Sequence, residues 1–158
     1  VKPANVEMFE SFGVFSSTEC HARLEIMLEN HVKTNLIEAA TMSQMVHRQV
    51  LPAVMGAAAR LARDSVALTE AGVPSAATQQ LAARLSGLCD AIAQGVEHLD
   101  QVSTTLPTDG DELDQAEYAR DVICTAMEQL RRSCDEAETL VDEKAWPMPT
   151  YTDLLHRV

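Results

Sequence analysis

The chain has 158 residues, enough for one domain with a real core, and its 46% hydrophobic content argues against disorder. Its net charge of -12 repels phosphate backbones and anionic lipid surfaces, so nucleic acid and membrane are not expected as partners. No apolar run approaches the roughly 18 residues that a membrane span requires.

Helix formers (Leu, Ala, Met, Glu, Gln and Arg) are abundant. Only 4% of residues are aromatic, so Leu, Val, Ala and Met must fill the core. The opening VKPANVEMF has neither an initiating Met nor signal-peptide architecture, and reads as the start of a fragment. A short helix is expected over 5–12, ending at Gly13. Ser16, with Glu19 three residues on, forms a capping-box pattern. A long helix is predicted from there over 17–71. Its stripe is Leu24, Leu28, Val32, Leu36, Ala39, Met42, Val46, Val50 and Ala53, in steps of three and four. Pro52 lacks an amide donor and its ring clashes with the preceding turn, so this helix should kink near 52. Gly72 and Pro74 end it.

A second long helix is predicted over 75–104. Leu81, Leu85, Leu88, Ile92, Val96, Leu99 and Val102 draw its near-heptad stripe. TTLPTDGDE is a loop. A third helix is predicted over 111–144, with Leu113, Ala116, Ile123, Met127, Leu130, Cys134, Ala137 and Val141 facing inward. Residues 145–158 hold the only tryptophan, two prolines and Tyr151, and read as an extended, rigid apolar tail that needs a surface to lie on. The expected fold is therefore all-α: one domain, an elongated antiparallel helical bundle of one Pro-kinked long helix and a helical hairpin, with an extended C-terminal tail. At 1.5 Å per residue the first long helix spans roughly 80 Å and each hairpin arm roughly 45 Å. Its N-terminal half is left with an apolar face and little of its own chain to cover it.

Reactive constellations are missing from the pattern. Cys20, Cys89, Cys124 and Cys134 form no CxxC pair and read as reduced, largely buried thiols, from which a cytoplasmic location follows. His21, His31, His47, His98 and His156 follow no Glu at Glu-x-x-His spacing and make no HExxH. The six glycines do not cluster into a phosphate-binding loop. Residues 111–144 carry eleven acids against four bases, which an exposed helix face accounts for, with Glu128–Arg132 and Arg131–Asp135 as i,i+4 pairs. No catalytic, cofactor-binding or metal-binding residue is assigned. In the stretch HVKTNLIEAATMSQM, Lys33, Thr34, Asn35, Glu38 and Thr41 crowd a face that should be drier, as at a polar interface with another domain.

Two blocks carry a family resemblance. ECHARLEIMLENHVKTNLIEAATMSQMVHRQVLPAV resembles the start of the C-terminal helical region of type III glutamine synthetases through Arg23, Glu25, Ile26, Lys33, Ile37, Glu38, Ala39, Thr41, Met42, Gln49, Leu51, Pro52 and Ala53. The ending is similar to the family's W-P-x-P-T-Y-x-D-L-L terminus through Trp146, Pro147, Pro149, Thr150, Tyr151, Asp153, Leu154 and Leu155. Met148 stands where the pattern has an aromatic residue. Residues 56–135 carry little of the resemblance.

The resemblance implies a parent enzyme that joins glutamate and ammonia with ATP and magnesium, through a γ-glutamyl phosphate, in a ring-forming homo-oligomer. Its catalytic residues would lie upstream and match nothing here, so no cofactor is implied for this chain itself. Trp146, Pro147, Pro149, Tyr151, Leu154 and Leu155 on the tail, with Arg23 and Glu38 on the long helix, are the expected contacts to the catalytic core and neighbouring subunits. Pro52 is the expected structural kink. Two other readings stand beside it: a free-standing helical interaction or dimerisation protein using the same stripe, and a metal-dependent enzyme within the bundle.

Overall fold

The computed structural model describes residues 1–107, 111–149 and 151–156, the last segment with side chains from Asp153 onward. The described residues are helical, with no strand among them. α1 (Pro3–Ser11) opens on a proline, whose fixed φ suits a first turn, and is followed by Gly13 at φ +63. α2 (Ser17–Met45) begins at the predicted capping box: the Ser16 hydroxyl accepts from the Glu19 N–H at 3.3 Å, and the Glu19 carboxylate accepts from the Ser16 N–H at 2.8 Å.

The irregularity in the long helix lies just before Pro52. A π turn, Val46–Val50, joins α2 to α3 (Leu51–Glu70), with the Leu51 N–H donating to the Val46 carbonyl. Pro52 sits exposed just beyond it. Its missing N–H leaves the Arg48 carbonyl without an α-helical partner, and the wider turn eases the ring's clash with that carbonyl. The apolar pattern asks for the same turn. Met42, Val46, Val50 and Val54 follow in consecutive steps of four, each drifting about 40° round an α-helix, and one wider turn takes drift back.

α3 closes at Gly72, whose φ of +75 lets Val73 N–H reach the Leu68 carbonyl at 3.0 Å. α4 (Ala76–Thr104) is capped by Ser75 and runs back along α3. α5 (Glu112–Tyr118) starts at an Asp111 capping box. A second π turn, Ala119–Ile123, joins it to α6 (Cys124–Glu138).

The third helix was expected to reach 144; α6 stops at Glu138 because the chain reverses there. Val141 N–H returns to the Ala137 carbonyl at 3.0 Å. Asp142 then builds one tight turn: its side chain accepts from Lys144 N–H at 2.9 Å and its carbonyl from Trp146 N–H at 3.0 Å. That reversal seats Val141 and Trp146 on the core. The tail is not extended throughout either, since α7 (Tyr151–His156) makes a further short helix.

The core lies in the middle of the molecule. It takes Val32 to Ala57 from the long helix, Leu85 to Val102 from α4, and Ala116 to Ala137 from α5 and α6. Leu85, Ile92, Leu99, Ile123 and Leu130 are fully buried, each stabilising the fold by about 2 kcal/mol. Tyr118 ties the layers together by donating its hydroxyl to the Val102 carbonyl at 3.1 Å. The long helix overshoots this core at its start, where α1 lies on it, and at the α3–α4 hairpin tip. No helix of the described residues is long and apolar enough to cross a membrane.

Candidate interaction surfaces

Among the described residues, apolar surface stands open at two places on the long helix that bear on function. The first is at the N-terminal end. Phe9 and Phe15 meet edge to face at 5.6 Å, and the Arg23 guanidinium stands 4.3 Å over the Phe15 ring, which clasps α1 to α2. Glu10 adds a carboxylate that accepts from Ser17 N–H at 2.8 Å. Cys20 is buried beneath this lobe. Around it Phe12 (78% exposed), Met27 (69%), Ile26 (56%) and Val14 face solvent. A shallow depression of about 420 Å³ between Arg23, Ile26 and Met27 marks the stripe.

The second surface is a groove of about 510 Å³ where α2 and its π turn face α6. Met42, Met45, Val46 and Val50 form one wall, Cys134 lies on the other, and Trp146 and Met148 line the end. Glu38 and Glu138 stand on its rim, and Arg131 is engaged with Asp135 at 3.4 Å. Trp146 is 8% exposed, with its indole N–H enclosed and meeting no acceptor among the described residues.

The residues anticipated as contacts do not form one site. Trp146 is covered by this chain itself, so the tail's first anchor needs no outside surface. Pro147 and Pro149 are exposed, as are Leu154 and Leu155 on α7; the Tyr151 side chain lies outside the described residues. Glu38 and Trp146 share the groove. Arg23 lies fifteen residues before Glu38 on the same helix, about 22 Å away. Pro52 follows the π turn and touches neither surface.

A buried polar link went unassigned in the sequence. Asn35 Nδ2 donates to the His31 carbonyl at 2.9 Å and faces the His31 ring, while its Oδ1 accepts from Cys124 Sγ at 3.1 Å. The signal was present: Asn35 stands between Val32 and Ala39 at stripe spacing. On the exposed side, Asp100 of α4 accepts from Ser43 and faces His47 Nε2 at 3.1 Å. Burial pushes the Cys124 thiol up, helped by Glu38 and Glu128; burial and Asp135 push Cys134 up to about 11. Burial and Asp90 raise Cys89 likewise. These thiols stay protonated at neutral pH, which makes them poor nucleophiles and poor metal ligands.

Among the described residues no three His, Cys, Asp or Glu side chains converge, and Gly13 and Gly72, both at positive φ, sit in separate turns.

The family described as Glutamine synthetase C-terminal domain matches residues 1–68, which cover α1, α2 and most of α3. The glutamine synthetase of Butyrivibrio fibrisolvens is 28% identical over 170 residues, covering 98% of this chain and 22% of that protein. The type-3 glutamine synthetase of Dictyostelium discoideum is 23% identical over 161 residues, covering 96% and 21%. The glutamine synthetase of Bacteroides fragilis (strain YCH46) is 23% identical over 148 residues, covering 90% and 20%. The chain spans about a fifth of the length of the curated relatives it matches.

Proposed function

We propose that the chain, whose residues 1–68 match the glutamine synthetase C-terminal domain family, is the non-catalytic helical domain of a type III enzyme, packing on the catalytic core and supporting assembly of the homo-oligomer. ATP, magnesium and the ligase reaction of glutamate with ammonia belong to that larger protein, working in the cytoplasm. No step of that chemistry runs through the residues of this chain. The observation that carries the reading is the uncovered N-terminal stripe. Phe12 and Val14 in the turn before α2, with Ile26 and Met27 on α2 itself, stand exposed ahead of the buried core, which begins at Val32, while the relatives are some five times longer than the part matched here. A contiguous apolar patch on a rigid helix is what a second globular body covers.

The experiment is a double substitution, Ile26→Glu with Met27→Glu, in the full-length enzyme. Both positions are exposed, so the domain should still fold. The expected result is lower thermal stability of the assembled enzyme and faster proteolytic release of this domain. An enzyme that melts, assembles and resists protease like the parent would overturn the core-packing reading. By the same reasoning the 158-residue chain alone should form no glutamine from glutamate, ammonia and Mg-ATP; measurable turnover would relocate the active site.

A further inference from the structure

The groove beside Trp146 has a fitting occupant on this same polypeptide, and we propose that it receives α7 from a second copy of the chain. α7 presents Leu154 at 66% and Leu155 at 73% exposure, adjacent apolar side chains with no core beneath them. The groove offers an apolar bed of about 510 Å³, enough for two leucine side chains. Met42, Met45 and Met148 line it, and their unbranched thioethers adapt to an incoming side chain.

The placing of charge is compatible with the same partner. Glu38 and Glu138 flank the groove, and neither is ion-paired among the described residues, whereas Arg131 is held by Asp135. α7 carries Asp153 in its first turn and His156 in its last, and Arg157 follows in the sequence, so the basic groups lie on the C-terminal side of the two leucines. An acidic-rimmed apolar groove and an apolar segment ending in basic residues are complementary.

Chain geometry favours another copy as the donor. Met148 already lines the groove, and α7 begins three residues later with its leucines facing solvent. To fill its own groove, α7 would have to fold back over Met148; a second copy enters from outside. If each copy receives the other's α7, the contact is two-fold and closes on itself.

The inference deepens the assembly part of the function proposed above and rests on it; the core-packing part is read at Ile26 and Met27, so the two can fail separately. The chain has its own core and caps and can be tested alone by sedimentation equilibrium. The tail variant is Leu154→Ser with Leu155→Ser. The groove variant is Ile37→Glu with Glu138→Lys. All four positions are exposed, and circular dichroism melts check that both variants fold. The parent chain should be dimeric at high micromolar concentration, and each variant alone should self-associate about a hundredfold more weakly. A mixture of the two variants should recover a 1:1 complex through the one intact tail and the one intact groove. Emission from Trp146, the only tryptophan, should shift on association. A parent chain monomeric at the highest concentration would overturn the exchange, as would a dimer indifferent to both variants. A monomer whose Trp146 emission changes in the tail variant would do so too, by assigning the groove to its own α7.

Discussion

Asn35 is the buried polar residue among the described side chains, and it shows how one amide can set the meeting of two helices. It joins α2 to the start of α6 through Cys124, so sliding either helix would leave a buried amide oxygen unmet. Asn35→Leu should therefore destabilise the fold by about 1–3 kcal/mol in urea titrations, with Cys124 losing its acceptor. Asn35→Leu with Cys124→Ala should cost less than the two single changes added together, and strict additivity would refute the link. Trp146 offers a contrasting test. Truncation to Ala should cost about 3 kcal/mol or more, while Phe, which removes the unmet N–H and keeps most of the ring packing, should cost less than half of that. Equal losses would mean that the indole nitrogen has found a partner. Cys134 makes stability depend on pH. Its thiol is raised to about 11, above the value of about 9 that it takes when unfolded. Its neutral form is favoured by folding, so the contribution is complete below pH 9 and fades as pH rises toward 11. The stability gap between the parent chain and Cys134→Ala should accordingly narrow from pH 8 to pH 10. The stripe could place Cys134 near the core from the sequence, but not Trp146, which reads as part of the tail, nor the Asn35 pairing, because spacing reveals which face a residue occupies and not what stands opposite.

At the scale of elements, the capping residues and the apolar periods were legible. Ser16–Glu19, Gly72 and the whole α4 stripe act locally or repeat regularly, and each stands where the pattern put it. The two π turns divide. The first is announced by Pro52 and by three successive steps of four. The second, at Ala119–Ile123, has no proline or glycine near it; Ala119 and Ile123 are fully buried, and contact with α2 and α4 accompanies the turn. The early end of α6 was hidden for a related reason. Thr139 to Lys144 could continue a helix, and only the gain from turning Trp146 onto the core tells against it. Glycine positions test the packing of α4. At Gly87 an added Cβ meets nothing within 4 Å, so Gly87→Ala should stabilise by about 0.5–1 kcal/mol. At Gly95 the same Cβ would stand 3.2 Å from Leu130 Cδ1, whose side chain is buried, so Gly95→Ala should gain less or lose. Thermal melts of the two variants should rank in that order.

Across the whole molecule, the mismatch between one long helix and a shorter hairpin was readable from lengths alone, and it places the core at the centre with both ends overhanging. The N-terminal overhang contributes Cys20 and the Phe9–Phe15 clasp, and of its residues only Leu28, partly buried, packs against the central cluster, whose buried members start at Val32. A chain beginning at Glu29 should consequently keep the bundle's cooperative melt within a few degrees, and a collapse of the transition would show that the lobe supports the core. What lengths could not reveal is the groove, because it is made by the reversal after Glu138 and by the π turn opposite, neither of which has a period. The continuity of the long helix has a mechanical consequence. From the Phe15 clasp to the turn at Gly72 its hydrogen-bonded axis runs for roughly 80 Å with no loop along it. A body gripping one overhang is therefore held at a set distance and angle from whatever touches the other, and the helix works as a strut where a linker of the same length would have been a tether.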